Sequence, residues 1–298
     1  MKHLLKLEGM PSAAMEEILA SAKVIKAKRG GGEAKPLDGQ TWALIFTKSS
    51  TRTRVSFEVG IRELGGSVMF LNANDMQLGR GEPIKDTARV LGRMVHGAVI
   101  RTFAQADVEE FAEYSGIPTI NALTDDEHPC QILTDIFTFQ ERRGPIRGKV
   151  VTYVGDGGCN VPVSWVHAAA ALDFELRIAA PSEFQPSAET LAKAGGNISC
   201  TEDIRAAVKG ADMVYTDVWV SMGMEAEAEA RLAKLAGYQI NGELMRLAKP
   251  DTLVMHCLPA YRGKEIDAET FEAHADTIFT QAENRLHTQK AILAWLAG

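Results

Sequence analysis

Apolar positions along the chain fall into two alternating textures. Short uninterrupted runs such as "TWALIF" (Thr41–Phe46) read as strands covered on both faces. Stepped runs read as helices. In "VSFEVGIRELGG", Phe57, Ile61 and Leu64 recur at i, i+4 and i+7, and Gly65 stands where a helix C-cap glycine belongs. The series continues with a strand "SVMFLN", a helix "IKDTARVLGRMV", strands "GAVIRTF" and "IPTINAL", and a helix from about Pro129 to Arg142. A second series opens near Gly148: strand "KVVTYVGD", helix "VPVSWVHAAAAL", strand "ELRIAAP", helix "AETLAKAGG", then strands "ADMVYTDV" and "DTLVMHCLP". A final helix, about Glu283 to Leu296, carries Leu286, Ile292, Leu293 and Leu296 at near-helical spacing. Strands alternating with helices imply parallel sheets flanked by helices. The expected fold class is therefore α/β, with two domains of similar size.

Length agrees with that division, since 298 residues are long for one core and suit two domains of roughly 150. The segment "ERRGPIRGKV" is the best boundary, giving expected domains 1–142 and 143–280, with a C-terminal helix of about 281–298 packing back onto the first. The net charge of −7, from 32 Lys and Arg against 39 Asp and Glu, gives no broad electrostatic case for nucleic acid or an anionic membrane. Four dispersed cysteines without a CxxC pair argue against a disulfide framework. The N-terminus lacks the form of a secretory signal, and no apolar run approaches the ~20 residues of a membrane span. A cytoplasmic location is expected.

Ligands of parallel sheets bind beyond the carboxyl ends of the strands. Six such ends carry unusual polar residues: "TKSSTRTR", "IRTF", "DDEHPCQ", "GDGGCN", "TDVWVSMG" and "MHCLPA". They suggest one active site in a cleft between the two domains. At the first, a helix mouth offers unpaired N–H groups and partial positive charge. The hydroxyls of Ser50, Thr51 and Thr53 and the guanidinium of Arg52 turn it into a site for a phosphate-like dianion. A single capping residue would explain one of these side chains, not the set. Arg54 suits a structural salt bridge as well as a ligand contact. Arg101 ends an apolar strand, where it needs either an anion or an acidic partner. His128 and Gln131 open a helix at "HPCQ"; a histidine there disfavours its own protonated form and can donate one N–H without acting as a base.

Cys257 follows an apolar run beside His256. On a strand those two side chains would point to opposite faces, which disfavours a covalent mechanism and leaves a buried or pocket-lining thiol. Cys and His nowhere show zinc-ligand spacing, so no metal is expected. "VGDGGCN" lacks the third glycine of a dinucleotide turn, and no acidic residue ends the following strand, so a nicotinamide cofactor is disfavoured.

Taken together, "STRTRVSFE", "DMQLGRGEPIKDTARVL", "HPCQILTD", "DVWVSMG", "MHCLPAYRG" and "AENRLHTQKAIL" resemble the ornithine carbamoyltransferases of the aspartate/ornithine transcarbamylase superfamily. "STRTR" and "HPxQ" are shared across that superfamily, whereas "DVWVSMG" with "HCLPA" points to ornithine. The resemblance implies transfer of the carbamoyl group of carbamoyl phosphate to the δ-amine of L-ornithine, giving citrulline and phosphate, with no cofactor. It implies a carbamoyl-phosphate-binding first domain and an ornithine-binding second domain. Ser50, Thr51, Arg52 and Thr53 would hold the phosphate. Arg101, His128, Gln131 and Arg285 would also reach carbamoyl phosphate, and Gln77 would reach it from a neighbouring subunit of a homotrimer. Asn160, Asp217, Ser221 and Met222 would hold ornithine, with Cys257 and Leu258 beside the reacting groups. Arg52, Arg101, His128 and Cys257 would be the catalytic members. The usual Asn-Asn of the ornithine turn is here Cys159–Asn160, and Pro162, Val163 and Trp165 make it bulkier or stiffer. Sibling transferases acting on putrescine, N-acylated ornithine or aspartate, an oxidoreductase, and a non-catalytic metabolite-binding protein are the rival readings.

Overall fold

The computed structural model describes residues 1–32, 34–72, 76, 81–221 and 225–298. The chain divides into two compact units, Met1–Phe137 with Asn284–Gly298, and Thr138–Glu283.

The first unit contains α1 (Ser12–Ala27), β1 (Thr41–Phe46), α2 (Thr51–Glu63), β2 (Ser67–Asn72), α3 (Ile84–Leu91), β3 (Gly97–Arg101), α4 (Gln105–Ser115), β4 (Thr119–Leu123) and most of α5 (Pro129–Arg143). Its four strands are all parallel and lie in the order β2-β1-β3-β4. Central β1 is buried from Trp42 to Phe46, as its continuous apolar run requires, whereas edge strand β2 is only partly covered. Gly97 opens β3 directly against Trp42. A Cβ there would stand 2.6 Å from the indole ring, so the close approach admits only glycine.

The second unit contains β5 (Val150–Val154), α6 (Asn160–Leu172), β6 (Glu175–Ala179), α7 (Ala188–Ala194), β7 (Ile198–Thr201), α8 (Ile204–Val208), β8 (Met213–Thr216), α9 (Ala228–Leu235), α10 (Gly242–Met245), β9 (Leu253–His256), α11 (Ala268–Ala273) and the start of α12 (Ala275–Ala297). The parallel sheet runs β7-β6-β5-β8-β9. Val154, Ala179, Val214 and Val254 pack with Ile240, Ile266 and Phe271 in one core cluster.

The apolar pattern did not single out α1, α4, β7 or α8–α11. It also started the last helix near Glu283, eight residues after its start at Ala275. The helix expected over "IKDTARVLGRMV" stops at Leu91. Gly92 follows, and a Cβ there would overlap the Ser115 carbonyl, so the chain turns away beneath α4.

In each sheet the order reverses once, between β1 and β3 and between β5 and β8. Such switch points leave a crevice at the carboxyl ends of the strands. Among the described residues, no helix is long and apolar enough to cross a membrane.

Candidate active site

In the first unit, Ser50 caps α2. Its backbone is extended, and its Oγ accepts the Thr53 N–H at 3.2 Å and donates to Thr53 Oγ1 at 2.9 Å. The Arg285 Nη2 also donates to Thr53 Oγ1, at 2.8 Å, with both residues buried. The first turn of α2 holds no acidic residue to offset its positive end. Thr51 and Arg52 lie on this turn, Thr51 exposed and Arg52 half-buried.

His128 immediately precedes α5, and its carbonyl accepts the N–H groups of Gln131 and Ile132 at 3.1 and 3.3 Å. The imidazole is buried. Burial first, then the guanidinium charges of Arg285 and Arg101, hold it well below the ordinary histidine range. It is therefore neutral at pH 7, a donor or acceptor rather than a cation. Gln131 donates to Asp135 Oδ1 at 2.8 Å, which fixes its amide and leaves its Oε1 without a hydrogen-bond partner among the described residues. Arg101 is buried at the end of β3, its carbonyl accepting from Thr47 N and Oγ1 at 2.9 and 3.2 Å. Arg285 thus links the two groups: it donates to the Ser50-capped Thr53, and with Arg101 its charge acts on the His128 ring.

Arg54 stacks on Phe70, its guanidinium carbon 3.8 Å from the ring centroid, and pairs with Glu58 at 3.7 Å. It lines an open depression with Lys48, Ser50, Thr51 and Phe70. Lys48 pairs with Asp125 and lies over the Phe103 ring at 4.1 Å, joining the segments that follow β1, β3 and β4. Both lie in polar segments picked out in the sequence, "TKSSTRTR" and "DDEHPCQ", which gave no role to either residue. Gln77 lies outside the described residues.

The second unit sets its polar residues around Asp217, just beyond β8. Asp217 Oδ1 accepts the Val218 N–H at 2.7 Å and the Cys257 thiol at 2.8 Å. Thr216 Oγ1 donates to the Val154 carbonyl at 2.7 Å, tying the end of β8 to the end of β5. The turn after β5 packs flat: a Cβ on Gly157 would lie 2.6 Å from Ile178. Asp156 in this turn accepts the Gly158 N–H at 3.1 Å and pairs with the buried guanidinium of Arg231, whose Nε donates to the Trp219 carbonyl at 3.1 Å. Burial pushes the Asp156 carboxyl up, against the pull of Arg231. Asn160 opens α6 behind Cys159, whose thiol donates to the Asp156 carbonyl at 3.3 Å. Ser221 is half-buried. Met222 lies outside the described residues. Arg231, distant in sequence from both segments it joins, gave no motif that could have flagged it.

One premise of the sequence reading fails here. β9 ends at His256, so Cys257 no longer follows strand alternation. A ligand atom from each of Asp217, His256 and Cys257 lies within 4.8 Å of the other two. Both ring nitrogens of His256 are nevertheless engaged, Nδ1 by the Leu258 N–H at 2.8 Å and Nε2 by Glu265 Oε1 at 3.1 Å. The Cys257 proton is directed to Asp217. The cluster is a hydrogen-bonded set rather than a cysteine–histidine nucleophile pair.

Two family descriptions match nearly the whole chain: the carbamoyl-P binding domain of aspartate/ornithine carbamoyltransferase over residues 2–141, and its Asp/Orn binding domain over residues 147–296. The chain belongs to the aspartate/ornithine carbamoyltransferase family. Within it, the chain is 55% identical over 300 residues to an ornithine carbamoyltransferase of Akkermansia muciniphila, covering 100% of this chain and 98% of that one. It is 50% identical over 295 residues to one of Methylococcus capsulatus, covering 99% and 98%. Among solved structures, ornithine carbamoyltransferase of Pyrococcus furiosus matches with a TM-score of 0.93 at 44% identity, over 100% of this chain and 97% of that one. The anabolic enzyme of Campylobacter jejuni matches with a TM-score of 0.93 at 42% identity, over 99% of each chain. Family membership accounts for the two-part build. Each half of the carbamoyltransferase has its own emphasis: arginines and hydroxyls around Thr53 and His128 in the first unit, and Asp217 with the Cys257 thiol in the second.

Proposed function

We propose that this carbamoyltransferase moves the carbamoyl group of carbamoyl phosphate to the δ-amine of L-ornithine, forming L-citrulline and phosphate, a step of arginine biosynthesis or urea-cycle type. The observation that carries the reading is the set of donors around Thr53: a capped helix mouth, Arg285 on the Thr53 hydroxyl, and a His128 ring kept neutral beside Arg285 and Arg101. Ser50, Thr51, Arg52 and Thr53 bind the phosphate, with Arg285 behind Thr53. Arg101, His128 and Gln131 serve the carbamoyl end. A neutral imidazole donates one hydrogen bond to the carbonyl oxygen and strengthens it as the tetrahedral oxyanion forms. Arg52 and Thr53 stabilise the phosphate as the C–O bond breaks and it takes the electron pair.

On the acceptor side, Asp217 pairs with the α-ammonium of ornithine, and Asn160, Ser221 and Met222 hold its α-carboxylate end. Cys257 and Leu258 flank the δ-nitrogen. The nucleophile is the neutral amine, so turnover rises with pH towards a Lys-like pKa of about 10.4. The names of the relatives support ornithine as acceptor, and so does the chemistry: putrescine lacks an α-carboxylate, and an N-acylated ornithine lacks the ammonium that Asp217 would meet. The same kinship supports a cytoplasmic homotrimer in which Gln77 reaches the active site of a neighbouring subunit.

A citrulline assay across ornithine, putrescine, N-acetylornithine and aspartate tests the reading. Phosphate release with ornithine at a kcat/KM at least about a hundredfold above the others is expected. Equal rates with another amine would sink it.

A further inference from the structure

His256 and Glu265 take no part in the substrate contacts proposed above, yet both are fully buried. Burying a carboxylate and an imidazole is costly unless their hydrogen-bonding capacity is used. Here most of it is spent on one short stretch of backbone, with Glu265 Oε2 left without a hydrogen-bond partner among the described residues. Glu265 Oε1 accepts the Tyr261 N–H at 2.5 Å and lies 3.1 Å from His256 Nε2. His256 Nδ1 accepts the Leu258 N–H at 2.8 Å. A ring nitrogen that accepts carries no proton, so the neutral ring holds its proton on Nε2 and donates it to Glu265. The His256 N–H goes to Gln281 Oε1 at 3.0 Å, anchoring the base of the turn. Leu258, whose N–H the ring holds, has φ of +62°, a conformation that side chains other than glycine avoid. The residue before it, Cys257, points its thiol at Asp217.

We propose that the Glu265–His256 pair is a positioning device for the acceptor half of the site. By fixing the ring tautomer it holds Leu258 in its left-handed conformation, and that conformation directs the Cys257 thiol onto Asp217. Only the identity of the molecule so served, ornithine, rests on the proposed function; the link from the buried pair to the Cys257 thiol does not.

Three variants of the full-length chain test it. His256→Phe keeps the ring shape and removes both nitrogens. His256→Asn keeps an acceptor atom near the position of Nδ1. Glu265→Gln keeps an oxygen for the Nε2 proton, but as a weaker, neutral acceptor. The readouts are ornithine KM, the affinity for inorganic phosphate, and the rate at which iodoacetamide alkylates Cys257, followed on its own peptide by mass spectrometry. In the parent protein the thiol is held by its hydrogen bond to Asp217, which must break before the sulfur can be alkylated. In His256→Phe the thiol is released from Asp217. Alkylation should speed up by about tenfold and ornithine KM should rise by about tenfold, as loss of a positioned charged hydrogen bond predicts. Phosphate affinity should stay unchanged, because the phosphate donors lie in the other unit. His256→Asn should recover most of both effects, and Glu265→Gln should show roughly a threefold acceleration of alkylation. Parent-like alkylation in His256→Phe overturns the proposal, as does phosphate affinity lost in parallel with ornithine KM, which marks a general structural defect. Should His256→Phe fail to fold, Glu265→Gln decides: parent-like alkylation there overturns it equally. If the parent protein makes no citrulline, the proposed function fails while the alkylation rates still test the pair.

Discussion

The two units place opposite chemistry at the same point of the same topology. Each has a parallel sheet whose strand order reverses once, and each gathers polar residues beyond the strands at that reversal. In the first unit these are chiefly hydroxyls, guanidinium groups and a histidine kept neutral by burial and by two arginines, with Asp125 neutralised by Lys48. In the second they are carboxylates and a thiol, and the buried guanidinium present, Arg231, is tied to Asp156. The difference follows the charges to be bound. A phosphate and a developing oxyanion call for donors, whereas an amino acid presenting an ammonium calls for an acceptor. The fold supplies only the location; the side chains after the strands assign the charge.

Arg231 is a structural cation, and the proposed function makes Arg52 a catalytic one; substitution can separate them. Arg231→Ala leaves the buried Asp156 carboxylate and the Trp219 carbonyl without the guanidinium that both use, and it should destabilise the protein by about 3–5 kcal/mol in urea unfolding. Unaltered stability would remove the distinction. Arg52→Ala should unfold near the parent midpoint but lose about 10²–10³-fold in kcat/KM, the range for removing one transition-state donor. Near-normal activity in that variant would overturn the phosphate assignment.

A smaller effect is expected where the two units differ in their cysteines. Burial pushes Cys130, in the first unit, up to about 12, and its thiol donates to the Asn121 carbonyl at 3.4 Å, so it serves packing. Cys257 donates to Asp217 instead. Cys257→Ser keeps a donor of similar shape, and it should preserve turnover while raising ornithine KM roughly fivefold, near the ~1 kcal/mol of one altered hydrogen bond. Complete loss of turnover in the folded variant would favour covalent catalysis and erase the contrast.

These residues also mark how far the sequence could be read. Strands buried on both faces announce themselves by apolar runs, uninterrupted in the body of β1 and broken only by Thr152 in β5. Short or half-exposed elements such as β7 and α8 do not, because their cover comes from neighbours distant in sequence. Ser50–Thr53 were legible as a cluster of donors at a helix mouth because they are adjacent along the chain. The Arg54 contact with Glu58 lies one helical turn away and was equally open to inference. The links of Asp156 to Arg231 and of His256 to Glu265 were not legible, since each joins segments that only the fold brings together. The expectation that His256 and Cys257 face apart failed for a local reason: the strand ends between them.

The least disruptive test uses pH alone, and it bears on why a neutral histidine stands beside two arginines in the first unit. In the folded chain, burial and then Arg285 and Arg101 keep His128 well below its ordinary value of 6.5. In the unfolded chain it titrates near 6.5. Below that pH the unfolded state binds a proton that the folded state refuses, so stability falls as the pH drops below about 6.5 and is fully regained above it. A His128→Gln variant should lose this part of the acid sensitivity while other groups retain theirs, visible as a flatter unfolding midpoint between about pH 5 and 7. An unchanged slope would mean that His128 protonates in place, beside two guanidinium groups. The carbamoyl end would then face a third cation rather than a neutral donor, and the division of labour between the two units would have to be redrawn.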